Sequence, residues 1–199
     1  MAEFLTILFT SFLLMSLAEI GDKTNLILIS MIGKHKKPWT VFSGGMTGIV
    51  VVTVIGAILG AVISQVLPAW LVPIISGLVF LYLGISEFMG EEEEEEEIAN
   101  NDNDLSQFDI YKKAFLLIGL AEFGDKSQIF VISSAAINDP VAVAIGAILG
   151  MFFISLLATL LGNTLMRRVP EEKLNKIAAI LFIVAGLWII IDAIIDLVS

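Results

Sequence analysis

Six runs of apolar residues take up nearly all of this 199-residue chain, at about residues 4–33, 41–64, 70–90, 112–137, 141–166 and 174–197. A hydrocarbon core about 30 Å thick takes roughly 20 apolar residues per helix, and only helices or closed barrels satisfy their own backbone groups there. Runs of this length restrict the chain to an all-α integral membrane protein of six transmembrane helices, with the lipid bilayer as its solvent. Composition agrees: 57% hydrophobic residues and a mean hydropathy of +0.94 exceed what an ordinary soluble domain carries. The first run opens with Glu3 and lacks a basic flank, so it is expected to be retained rather than cleaved as a signal peptide. No cysteine is present, which excludes disulfides and thiolate metal sites.

The runs repeat. "AEIGDKTNL" at 18–26 returns as "AEFGDKSQI" at 121–129, and Gly44, Gly48, Gly60, Pro68, Phe80 and Gly84 return as Gly146, Gly150, Gly162, Pro170, Phe182 and Gly186. The chain therefore reads as one three-helix unit at 1–90, an acidic linker at 91–111, and a second unit at 112–199. Three is an odd number, so the second unit is expected to cross the membrane upside down, as two inverted three-helix repeats. Lys34, Lys36, Lys37, Lys112, Lys113, Arg167, Arg168, Lys173 and Lys176 all fall in or beside the first, third and fifth loops. The positive-inside rule makes those loops cytoplasmic and both termini extracytoplasmic. The net charge of −10 includes the seven acids of Glu91–Glu97, so it describes a loop and offers nothing to a nucleic acid.

The two motifs carry charge into apolar runs. Glu19 and Asp22 are three residues apart with Asn25 continuing the stripe, and Glu122, Asp125 and Gln128 repeat the spacing, which on a continuous helix gives each unit one oxygen-rich face. Gly21 and Gly124 sit between the acids, where a missing side chain permits close approach of another backbone or a local break that frees carbonyls as further ligands. Inversion around one axis brings Glu19, Asp22, Glu122 and Asp125 towards a common point near the midplane. Four carboxylates against Lys23 and Lys126 leave a formal −2, which one divalent cation or two protons would neutralise. Oxygen ligands with Thr24, Asn25, Ser127 and Gln128 in support suit hard cations such as Mn²⁺, Ca²⁺ or Mg²⁺. Lys23 lies four residues after Glu19 and Lys126 four after Glu122, so each is expected to pair with a motif acid and to serve as an internal counter-ion when the metal leaves.

Other features have plainer readings. Gly44 with Gly48, Gly56 with Gly60, and Gly146 with Gly150 mark close helix packing. Glu91–Glu97 reads as a solvated linker, Asp192 and Asp196 as interfacial acids, and "DNDLSQFD" fails as a calcium loop because Gln107 stands where the glycine belongs. Paired intramembrane aspartates also occur in membrane proteases, but the first glycine of their Gly-x-Gly-Asp motif is Glu19 and Glu122 here. The chain is not expected to be an enzyme. A divalent-cation channel, or an exporter of another hard cation, remains the alternative to a carrier.

Glu-x-Gly-Asp-Lys-Thr/Ser, present as Glu19 to Thr24 and Glu122 to Ser127, resembles the paired signature of the Gdt-type cation exchangers of the lysine-exporter superfamily, whose bacterial MneA-type members export manganese. The resemblance covers the whole chain. It implies a Mn²⁺ or Ca²⁺ antiporter exchanging metal for protons, with Glu19, Asp22, Glu122 and Asp125 as ligands and Thr24, Asn25, Ser127 and Gln128 supporting them. It implies no cofactor, and it leaves a homo-oligomer open. Many relatives carry Trp and Arg where this chain has Phe123 and Lys126. Small size and the lack of a presequence favour a bacterial inner membrane.

Overall fold

The computed structural model describes residues 1–20, 22–89, 105–166 and 171–198. Among them every element is a helix: α1 (Ala2–Ala18), α2 (Lys23–His35), α3 (Pro38–Val66), α4 (Leu71–Met89), α5 (Gln107–Glu122), α6 (Lys126–Ile137), α7 (Pro140–Met166) and α8 (Glu171–Val198). The starts follow local chemistry. Pro38 and Pro140, duplicates of each other, occupy first helical positions, where a missing N–H costs nothing. Asp139 Oδ1 accepts from Val141 N and Ala142 N, each at 2.9 Å, and Ser106 caps α5 by accepting from Asp109 N at 3.2 Å. α5 thus begins inside the stretch read as linker, while the Glu91–Glu97 run lies outside the described residues.

Two of the six expected runs are not single helices. The first divides into α1 and α2, bent by 65°, and the fourth into α5 and α6; both divisions fall at the acidic motifs. By length and apolarity Pro38–Val66, Pro140–Leu161 and Lys176–Leu197 are able to cross a membrane, and the α1–α2 pair makes a fourth span when counted as one. α4 contributes a shorter apolar stretch, Leu71–Ser86. The chain is a multi-pass membrane protein, and its outward faces are apolar: Trp188 is 72% exposed, Ile195 59% and Leu160 58%.

Packing exchanges partners between the halves. A side chain on Gly44 would collide with Tyr111 O and Ala114, and one on Gly146 with Leu8 O and Ser11. Gly48 sits against Phe115 O and Gly119, as Gly150 sits against Phe12 O and Ser16. Each residue met by the second glycine of a pair is the duplicate of one met by the first. α3 therefore packs on α5 as α7 packs on α1, backbone close to backbone because glycine leaves room. α4 and α8 obey the same exchange, with Gly84 against Ala179 O and Ile183, and Gly186 against Gly77 O and Leu81. Phe80 touches its own duplicate, Phe182, with ring centroids 5.9 Å apart, and Phe130 lies 5.5 and 5.7 Å from them.

Candidate cation site

Both motifs are built on a helix end followed by a helix start. Glu19 caps the C-terminus of α1 with its N–H bonded to Met15 O, and Asp22 caps the N-terminus of α2, its Oδ2 accepting from Thr24 N at 3.3 Å. In the second half α5 ends at Glu122, Gly124 turns the chain at φ +86°, and Asp125 stands at the N-cap position of α6 without a side-chain capping bond. A left-handed φ of this kind is why glycine stands at 124. Each glutamate is thereby placed at the negative end of one helix dipole and each aspartate at the positive end of the next. The acids come together across a break, not along one helical face as the three-residue spacing suggested; the break frees the backbone that a continuous helix would have consumed.

The result is a buried cluster. Glu19, Asp22 and Glu122 are 2%, 3% and 1% exposed, and one carboxylate oxygen from each lies within 4.8 Å of the others. Asp125 stands beside this trio, tied to Lys23, with a side chain 9% exposed. Among the described residues, Glu19 Oε1 and Asp125 Oδ2 are buried and accept no hydrogen bond. Buried anionic oxygens without donors are costly, and a cation is the group that would satisfy several at once.

The lysines cross. Lys23 Nζ lies 2.9 Å from Asp125 Oδ1, and Lys126 Nζ lies 3.0 Å from Asp22 Oδ1. Pairing with a motif acid was expected, but spacing alone pointed to Glu19 and Glu122, one turn back in the same half. The break removes that turn. Each lysine instead opens α2 or α6 and reaches the aspartate of the other half.

The neutral helpers hold the two breaks in different ways. Asn25 Nδ2 donates to Glu19 O at 2.7 Å, while Gln128 Oε1 accepts from Gly124 N at 2.6 Å. Ser127 Oγ donates to Glu122 Oε2 at 2.5 Å, and its counterpart Thr24, 2% exposed, also interacts through its side chain with Glu122. One neighbour was missed in the sequence: Ser155 Oγ of α7 donates to Asn25 Oδ1 at 3.4 Å. The duplication carries the signal, since Ser155 and Thr53 occupy equivalent positions. Asp192 and Asp196 are exposed, and both lie in the C-terminal part of α8.

A carboxylate cluster buried in a multi-pass helical membrane protein points to a functional site for ions or protons. Comparison with known families gives the narrower class. The family described as "Divalent cation/proton antiporter GDT1" matches residues 7–95 and 111–196, and the chain belongs to it. The family is one of transporters, in agreement with the expectation that the chain is not an enzyme. Among relatives, the yeast Saccharomyces cerevisiae protein named divalent cation/proton antiporter GDT1 is 28% identical, over 90% of this chain and 81% of its own length. GDT1-like protein sll0615 of the cyanobacterium Synechocystis is 27% identical over 89% of this chain and 93% of its own. GDT1-like protein 3 of rice, Oryza sativa, is 30% identical over 88% and 70%. No solved structure matches the chain.

Proposed function

We propose that this chain exports Mn²⁺ or Ca²⁺ from the cytoplasm in exchange for protons, through a site of Glu19, Asp22, Glu122 and Asp125 shared by two inverted repeats of three spans. The observation that carries the reading is the buried trio of carboxylates, two from the first motif and one from the second, with Glu19 Oε1 left without a donor among the described residues. All-oxygen ligation favours hard divalent cations, and the yeast relative is named for divalent cation/proton exchange. The reciprocal packing of the halves supports an inverted pair, and the positions of the basic loops support cytoplasmic loading with both termini outside.

The mechanism follows from charge. Two negative charges in excess are costly inside an apolar slab, so the site crosses the membrane either with a divalent cation or with protons in its place. Lys23 and Lys126 neutralise the aspartates from the opposite half and keep the remaining charge small enough for two protons to balance. Purified protein in proteoliposomes should move Mn²⁺ or Ca²⁺ uphill when a pH gradient is imposed, with protons running the other way. Flux that runs only downhill and ignores the pH gradient would mean a channel.

A further inference from the structure

Beside α6 the packing leaves a space that the carboxylate site does not use. A cavity of about 200 Å³ lies between the C-terminal end of α3, the first half of α4 and α6, with Ile63, Val72, Val79, Ile129, Ile132 and Ala136 on its walls. Roughly 15 Å³ is enough to admit one water, and well-packed interiors hold few voids larger than that. Val72 and Val79 are seven residues apart on α4, and Ile129 and Ala136 are seven apart on α6, so the space is a slot about 10 Å long. The two helices run antiparallel along it: Ser76 Oγ donates to Ser133 O at 3.2 Å, and one turn on, Phe80 meets Phe130. The inner end, at Ile129, is one residue from Gln128, whose Oε1 holds Gly124 N. The outer end lies where α3 passes to α4.

Water has little to hold in this slot. The polar side chains on its walls are Ser76 and Ser133, and the Ser76 hydroxyl is already bonded, whereas a buried water makes about three hydrogen bonds. Left empty, the walls would forfeit the contacts that a filling group provides. The slot also opens sideways. Ile75 on its rim is 40% exposed, Ile63, Leu67 and Val79 are half-buried, and the neighbouring Val62, Val66 and Leu78 are exposed. It is therefore continuous with the outward apolar surface that meets the bilayer, and the medium at its mouth is hydrocarbon. Trp70, exposed two residues before Val72, stands at the outer end, and exposed tryptophans of membrane proteins sit at headgroup level.

We propose that this slot is a lipid site: it takes one acyl chain of a bilayer phospholipid, laid between α4 and α6 with its headgroup beside Trp70, and the chain braces α6, the helix that the second motif begins. The chain completes the apolar contacts of Ile129 and Ile132 and thereby fixes the helix that carries Lys126 and Gln128. The α3–α4 connection contains no Lys or Arg, so the site selects the apolar chain and not the charge of the headgroup. Nothing in it depends on which ion is moved, so its failure would leave the exchange reading untouched.

The test uses the full chain in liposomes of phosphatidylethanolamine and phosphatidylglycerol, each lipid in turn doped with an analogue carrying a photoactivated diazirine in one acyl chain. Peptide mapping should find adducts on Val72 and Ala136, both buried, from either headgroup, and none on Val143 or Ala147, buried in α7. Ala136→Leu should fill the slot and remove the adduct on Val72, while Leu160, which faces lipid, keeps its labelling. Val72→Phe fills it from the opposite wall and should remove the adduct on Ala136. In detergent, phospholipid added at about ten times its half-saturating concentration should slow amide exchange over residues 129–137 by about tenfold in the parent and leave both filled variants unchanged. Val72 and Ala136 as free of adducts as Val143, or adducts that persist in both filled variants, would overturn the site. Adducts without slowed exchange would overturn the brace. If equimolar myristate removes the phospholipid adducts, the slot belongs to a free fatty acid and the phospholipid assignment fails. Should neither filled variant fold, the parent's adducts on Val72 and Ala136 against Val143 and Ala147 still decide.

Discussion

The crossed ion pairs give a test that separates the observed arrangement from the one suggested by spacing. Lys126 and Asp22 are 3.0 Å apart, with side chains 26% and 0% exposed. At an effective dielectric near 20 the gross attraction is about 5 kcal/mol, and desolvation of Asp22 and the mobility of a partly exposed lysine remove much of it. A net coupling of about 1.5–3 kcal/mol remains for Lys126 with Asp22. Lys23 is 35% exposed, so its pair with Asp125 should couple by under about 1 kcal/mol despite the shorter 2.9 Å. The measurement is a double-mutant cycle, Lys126→Gln with Asp22→Asn and Lys23→Gln with Asp125→Asn. Unfolding would be followed in detergent, with a chelator present so that no cargo contributes. Additivity of the first pair within about 0.5 kcal/mol, together with strong coupling of Lys126 to Glu122, would refute the crossed geometry and restore pairing within each half.

Further outcomes follow from other contacts. Glu19→Gln and Glu122→Gln should each weaken Mn²⁺ binding more than about 100-fold by titration calorimetry while the protein still inserts; retained affinity in both would remove the cluster from the cargo path. Gly48→Leu and Gly150→Leu should cost about 1–3 kcal/mol each and by similar amounts, because both press on a facing backbone, whereas Gly33→Ala meets nothing within 4 Å and should gain about 0.5–1 kcal/mol. Gly124→Ala, at φ +86°, should cost about 1–2 kcal/mol in thermal unfolding, and a neutral result would argue against the left-handed turn. Cysteines placed at positions 101 and 199 should be labelled by an impermeant thiol reagent in intact cells only at 199; the opposite pattern would reverse the proposed orientation.

Helix content and the doubled motif were legible because lipid restricts backbone choice and because a duplication repeats its glycines at a constant spacing. The closeness of Glu19, Asp22 and Glu122 was also legible, through the symmetry that two halves imply. Its route was not. The rule that residues three or four apart are neighbours assumes an unbroken helix, and both motifs interrupt one; this misdirected Lys23 and Lys126 to the acids of their own halves. The interruptions also account for part of the difference between six expected runs and the three or four helices that meet the length of a span. Ser155 escaped notice because a lone serine in an apolar run has no periodic signature. Only its alignment with Thr53, and then its reach to Asn25, distinguishes it.

Because Asp22 is answered by Lys126 and Asp125 by Lys23, neither half is electrically complete. Separated between the motifs, each half would keep an aspartate and a lysine whose partners lie on the other. The two motifs are not identical, with Thr24 opposite Ser127 and Asn25 opposite Gln128. The same dependence makes the chain divisible: residues 1–95 and 105–199, produced as separate polypeptides in one cell, have reason to find each other, since each carries the other's missing countercharge.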